Sequence, residues 1–255
     1  MKPEISTVVI SYNEQDNIER CLKSVAPFSS EVIVVDSNST DRTVELAQPL
    51  ATRVITQDWL GYGLQKQFAL KQAAGDWVFS IDADEEVSPE LCEEILALDF
   101  SVDGYYMPRK VWYLGRWIMH SGWHPGYILR LFRRGGGHFT DDRVHEYVAV
   151  DGKTRKLRCD LLHYSYRNVA HHIEKINGLT TLSAIKMYER GRRSRPHQIS
   201  ITPFLQFFKV YMIRRGFLDG RAGIMIALLH SYYVFLKYAK LWEIQSNDGR
   251  TKQTP

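Results

Sequence analysis

Apolar residues in the first hundred positions come in short continuous runs, and between those runs they recur at helical spacing. Thr7-Val8-Val9-Ile10, Val32-Ile33-Val34-Val35, Arg53-Val54-Ile55 and Trp77-Val78-Phe79-Ser80-Ile81 read as strands. Consecutive apolar positions, rather than alternating ones, mark strands buried on both faces. Ile18, Cys21, Leu22 and Val25 keep the spacing of one helix face, and Pro27 closes that helix. A second helix is expected to begin with Ser39 or Thr40 as N-cap, and a third to span about 63–74 with Gly75 as its stop. The pair Ser88-Pro89, an N-cap and a proline at the first helical position, starts a fourth that runs to about Leu98. Strand and helix alternating at this interval predict an open, mostly parallel α/β sheet with crossover helices.

Beyond residue 100 the pattern changes. Strands are expected at Gly104–Pro108, Tyr127–Phe132 and Arg143–Val150, with Gly135-Gly136-Gly137 as a tight turn, making a smaller mixed sheet that faces the first half. After 165 the spacing is helical: His171–Tyr188, then Arg190, Arg192, Arg193 and Arg195 closed by Pro196, then Pro203–Ile213 and Gly223–Trp242. The apolar stretch Ile224–Leu236 is interrupted by His230 and falls below the roughly 20 residues that span a bilayer. It therefore predicts no transmembrane helix. Phe204, Phe208, Arg214, Arg215, Tyr232 and Lys237 mix aromatic with basic character, as helices lying in a membrane interface do, and the same aromatics equally suit packing into a helical core. From Gln245 the chain reads as a frayed polar tail.

Composition sharpens this picture at two points. With 255 residues, 44% of them hydrophobic, the chain can fill a large α/β core without staples. Its cysteines, Cys21, Cys92 and Cys159, are odd in number and widely separated, with no Cys-x-x-Cys pair, which fits a reducing cytoplasm. The N-terminus lacks the apolar core of a secretory signal, so an intracellular protein is expected. The net charge of +4 conceals a division. Residues 1–150 carry 14 Lys+Arg against 22 Asp+Glu, a balance of −8, and residues 151–255 carry 19 against 7, a balance of +12. The basic half calls for an anionic partner, nucleic acid or anionic lipid.

In open α/β sheets, ligands gather at the carboxyl ends of the strands. Three polar clusters fall there: Ser11-Tyr12-Asn13-Glu14, Asp36-Ser37-Asn38-Ser39-Thr40-Asp41 and Asp82-Ala83-Asp84-Glu85-Glu86. The loop after the first strand has no glycine, and Lys66 stands where Gly61-Tyr62-Gly63 would need a third, which excludes both a dinucleotide fingerprint and a P-loop. A diphosphate at this rim must then be neutralised by a hard divalent ion, Mn²⁺ or Mg²⁺, on Asp82 and Asp84. Val144-His145-Glu146-Tyr147 places a further acid in a strand-like run.

These three ordered motifs, Thr7–Glu14, Val34–Thr43 and Ile81–Glu85, resemble the inverting family 2 glycosyltransferases of GT-A fold over residues 5 to about 150. Gly61–Gln67 and Val144-His145-Glu146 are similar to the branch that adds glucose or a similar hexose to the lipopolysaccharide inner core. The resemblance implies a GT-A domain over 1–165, with a nucleotide-binding half 1–100 and an acceptor half 101–165. A helical, basic extension then covers 166–244, and a tail 245–255. It implies a UDP-hexose donor, a lipid-linked oligosaccharide acceptor, a peripheral position on the cytoplasmic face of the inner membrane, and no nucleic acid. Residue by residue it implies that Tyr12 and Glu14, with Ser11 and Lys66 beside them, border the donor, and that Asp36 accepts a hydrogen bond from uracil. Asp82 would sit near the ribose and the metal, Asp84 would ligate the metal, and Glu146 would be the general base, with Asp141 and Asp142 as rivals where many relatives show Glu-Asp. A sugar nucleotidyltransferase would want a glycine-rich basic loop after the first strand. A non-catalytic anionic-surface module would leave the three acidic clusters without use.

Overall fold

The computed structural model describes residues 2–140 and 147–251, with side chains as far as Asp248. In chain order its elements are β1 (Ile5–Ser11), α1 (Ile18–Val25), β2 (Glu31–Asp36), α2 (Thr43–Ala47), β3 (Arg53–Thr56), α3 (Tyr62–Lys71), β4 (Trp77–Asp82), β5 (Glu85–Val87) and α4 (Pro89–Leu96). They continue with β6 (Gly104–Tyr113), β7 (Arg116–Ile118), β8 (Gly126–Arg133), β9 (Gly137–Phe139), β10 (Val148–Val150), β11 (Thr154–Lys156) and β12 (Leu161–His163). Three helices close the chain: α5 (Val169–Glu189), α6 (Pro196–Phe208) and α7 (Gly220–Thr251).

One large mixed sheet has the order β3-β2-β1-β4-β8-β6-β12-β5. Its first four strands are parallel, and β8 enters antiparallel beside β4. The smaller facing sheet expected after residue 100 is therefore corrected: β6, β8, β12 and β5 extend the first sheet, and the second sheet is the β9–β10 pair. Side chains alternate across the sheet, so consecutive apolar residues feed two cores. Val9, Val34, Phe79 and Ile81 face a core that α1 closes with Ile18, Cys21 and Leu22. Val8, Ile33, Val35 and Val78 face another closed by Ala69 and Leu70 of α3.

The chain divides into two compact units. The first comprises residues up to Val111 and Pro125–Ser165; the second comprises Trp112–His124 and everything from Tyr166 on. The second unit is helical, with a core of Tyr113, Ile118, Ile176, Val210, Ile226 and Ala227. Three expectations are corrected there. Pro196 opens α6 at its first position rather than closing the arginine run, because a proline lacks only an N–H that the first turn leaves unbonded anyway. Pro203 lies inside α6, which passes into a π-helical turn over Lys209–Ile213. The helix also runs through Gln245 to Thr251 in place of a frayed tail.

Within the second unit the run Gly216–Asp248 is, among the described residues, one helical segment long and apolar enough to cross a membrane, longer than the sequence suggested, with 28% of its most apolar window buried. Its polar residues are tied to the bundle. Ser231 donates to the Pro203 carbonyl at 2.7 Å, and Lys240 donates to Asn177, Thr180 and Thr181 of α5. These bonds make α7 the central helix of its unit.

Candidate active site

Register brings the three polar clusters to one rim. Ser11 at the end of β1 pairs with Asp36 at the end of β2, and Ile10 pairs with Asp82 at the end of β4. The carboxyl ends of three parallel strands are thus level.

Asp36 is buried and builds the loop around it. Its carboxylate accepts from Ser11 Oγ at 2.8 Å, from Ser39 Oγ at 2.6 Å and from the Ser39 N–H at 2.7 Å. Asn13, in the left-handed region at φ 53°, reaches across from the β1 loop: its N–H donates to Ser39 Oγ and its Oδ1 accepts from the Thr40 N–H, each at 2.9 Å. Short Asx and hydroxyl side chains favour such local bonds over helix. That is why the second helix does not start at Ser39 or Thr40; it starts at Thr43, whose hydroxyl takes the Glu14 N–H at 2.8 Å. Glu14 accepts from Asn17 at 2.6 Å. Tyr12, 58% exposed, leaves its ring face open at the rim.

In the Asp82-Ala83-Asp84 triplet Asp82 ends β4, and Ala83 and Asp84 form the turn to β5. Asp82 meets a cation on each carboxylate oxygen: Lys66 Nζ at 2.8 Å on one, and the Arg130 guanidinium on the other. Arg130 also holds Glu85 at 2.7 Å, and Arg109 stands 3.6 Å from Glu85. Burial would raise the Asp82 pKa, but Arg130 and Lys66 overcome that and hold the carboxyl well below the ordinary carboxylate range. Asp84 faces a different neighbour, His163 Nε2 at 3.3 Å. His163 arrives on β12, which pairs with β5 so that His163 is opposite Glu85. Its Nδ1 is buried and takes no hydrogen bond.

Lys66 is therefore placed against Asp82, and Ser11 against Asp36. Glu146, Asp141 and Asp142 lie outside the described residues. Arg130 and His163 are not among the residues the sequence singled out, and Glu85 stood there only as a member of the third acidic cluster. A signal for Arg130 did exist: an arginine in the middle of an apolar strand is almost never buried without a partner.

Among the described residues no group of three or more His, Cys, Asp or Glu side chains comes together as a metal site. Asp84 and His163 offer an oxygen and an imidazole nitrogen side by side, and Asp82 is turned to its two cations. Of that pair, the Asp84 carboxylate is the donor that suits a hard divalent ion, which would take its remaining ligands from substrate phosphates and water, while the imidazole of His163 positions that carboxylate.

An acidic and hydroxyl rim at the carboxyl ends of parallel strands, closed by a buried lysine and an Asp-x-Asp turn, defines a GT-A-type α/β transferase. The chain belongs to glycosyl transferase family 2, whose pattern matches residues 6–150. It is 32% identical over 252 residues to the lipopolysaccharide core biosynthesis glycosyltransferase LpsC of Rhizobium meliloti (strain 1021), covering 95% of this chain and 93% of that protein. It is 31% identical over 255 residues to the uncharacterized glycosyltransferase RT0209 of Rickettsia typhi, covering 94% and 87%. Among solved structures it is similar to S. aureus TarS 1-349, with a TM-score of 0.48 and 16% identity over 96% of this chain and 92% of that one. It is also similar to glucosyl-3-phosphoglycerate synthase from Mycobacterium tuberculosis in complex with Mn²⁺, UDP and glucosyl-3-phosphoglycerate, with a TM-score of 0.36 and 26% identity over 42% and 44%. The protein is a glycosyltransferase and a homologue of a lipopolysaccharide core enzyme.

Proposed function

We propose that this enzyme moves a hexose, glucose, from a UDP-sugar to a lipid-linked saccharide of the lipopolysaccharide inner core in one inverting displacement. The observation that carries the reading is the level strand ends at Ser11, Asp36 and Asp82, with Asp84 in the turn that follows, in a family 2 chain that matches LpsC nearly end to end.

Tyr12 stacks on the base and Glu14 borders the ribose. A carboxylate has about four acceptor positions, and the three bonds that Asp36 accepts leave it one for uracil. Asp82, fixed by Lys66 and Arg130, lines the ribose side of the rim. Asp84, with His163 beside it, holds Mn²⁺ or Mg²⁺. The ion, when bound, offsets the charge that develops on the departing diphosphate. Glu146 accepts the acceptor hydroxyl's proton. The basic second half binds the enzyme peripherally to the anionic cytoplasmic face of the inner membrane, where basic residues gain on the order of 1 kcal/mol each.

General-base catalysis contributes about 10²–10⁴ in rate. Glu146→Gln is expected to keep wild-type UDP-glucose affinity and to lose transfer by a factor in that range. Full transfer in Glu146→Gln would remove Glu146 from the mechanism.

A further inference from the structure

The second unit exposes large apolar side chains where a helical hairpin should be polar. Phe204, Leu205 and Phe208 share one face of α6, and Phe204 is 69% exposed. The connection from α6 to α7 adds Ile213, Phe217 and Leu218, all exposed, Ile213 to 69%.

This connection is held rigidly. A Cβ on Gly223 would stand 1.7 Å from the Gly216 carbonyl oxygen, so the turn and the first coil of α7 meet backbone to backbone. The buried Asp219 carboxylate accepts from the N–H groups of Met119 and His120 at 3.1 Å and from Ser121 Oγ at 2.8 Å. The Arg214 carbonyl accepts from the Ser121 N–H at 2.9 Å. A backbone fixed this firmly keeps the apolar side chains turned outward.

Charge identifies the occupant. Residues 190–242 carry 10 Lys+Arg and one acidic residue, the buried Asp219. Lys209, Arg214, Arg215 and Arg221, all exposed, are interspersed with these apolar residues along the chain. A second copy of the chain docking here by two-fold symmetry would set these cations against their own equivalents, which costs affinity. An anionic lipid leaflet satisfies both parts, with acyl chains for the apolar tip and phosphate headgroups for the cations.

We infer that the α6–α7 hairpin is a monotopic membrane anchor whose tip, Ile213, Phe217 and Leu218 with the α6 face behind it, inserts below the headgroups of an anionic leaflet. The inference deepens the membrane part of the proposed function and rests on it, adding apolar insertion to charge attraction. It is separable from the sugar-transfer reading because lipid binding needs neither donor nor acceptor.

The test is flotation of the full chain with phosphatidylglycerol-containing vesicles and with phosphatidylcholine vesicles, at low and high salt. Wild type should prefer the anionic vesicles and keep part of its binding at high salt, since salt screens charge and not apolar burial. Combining Ile213→Ser, Phe217→Ser and Leu218→Ser should lower binding about tenfold or more at both salt levels. Helicity and elution volume should stay at wild-type values, as these side chains face solvent. A companion variant, Lys209→Gln with Arg214→Gln and Arg215→Gln, should lose the preference for anionic vesicles and retain the salt-resistant part. Four results would overturn the anchor: serine variants that float like wild type, complete release of wild type by salt, a detergent-sensitive dimer abolished by the serine variants, or resistance to alkaline extraction, which would mark a spanning helix.

Discussion

In the sheet unit the buried polar groups are charges held against charges: Arg130 between Asp82 and Glu85, with Lys66 on the far oxygen of Asp82. In the helical unit they are neutral except for Asp219, whose carboxylate is held by the Met119 and His120 N–H groups and by Ser121 Oγ rather than by paired arginine or lysine. Trp123 donates its indole N–H to His230 Nε2 at 3.0 Å, and His172 Nδ1 meets the Tyr113 hydroxyl at 2.9 Å within a cluster completed by Tyr166. Burial first, then His230, Lys175 and His171, push the His172 pKa down to about 4; burial, then Arg214, does the same to His230. The difference follows what each unit has to do. A rim that handles a nucleotide diphosphate needs carboxylates ionised and fixed in place, and paired cations do that. A bundle that packs an apolar hairpin has no such need for paired cations, and it keeps His172 and His230 uncharged.

The contrast is broken most severely by deleting the central cation. Arg130→Met leaves Glu85, fully buried, and Asp82 short of their shared partner, and an uncompensated buried charge costs about 3–5 kcal/mol. Urea unfolding should show a loss of that size. A variant as stable as wild type would mean that Arg109 and Lys66 already suffice.

A smaller effect separates the units by pH. His172 and His230 have folded pKa values near 4 against an ordinary value of 6.5, so the unfolded chain binds more protons between those limits. Their contribution to stability is complete above about pH 6.5 and is lost as pH falls toward 4. The Asp82 carboxyl is also lowered, but so far that its pairing survives this window. Acidification from neutral to about pH 4.5 should therefore loosen the helical unit first. It should be read as a change in Trp123 emission and a falling melting temperature that His230→Gln flattens. Melting behaviour independent of pH across that range would contradict the neutral-histidine description.

Much of this was legible in the sequence. Strands β1, β2 and β4 announced themselves because strands buried on both faces are apolar at nearly every position, small hydroxyl residues such as Thr7 and Ser80 excepted, and the carboxyl-end clusters followed from where those runs stop. Ser88 capped α4 as expected, accepting the Leu91 N–H at 3.1 Å. What was hidden depends on pairing between distant strands. Nothing local to Leu161-Leu162-His163 says that it slots between β6 and β5 and carries His163 to Asp84. Likewise Ser39 and Thr40 look like caps until Asn13 and Asp36 claim them.

The proposed function stands or falls with Asp84 as the organiser of a metal-assisted UDP-sugar site. Calorimetric titration of UDP-glucose with and without Mn²⁺, on wild type and on Asp84→Asn, tests it most directly. Wild type should bind UDP-glucose more tightly with Mn²⁺, and Asp84→Asn should fold normally and gain nothing from the metal. Equal Mn²⁺ enhancement in both proteins, or no UDP-glucose binding by wild type, would contradict it.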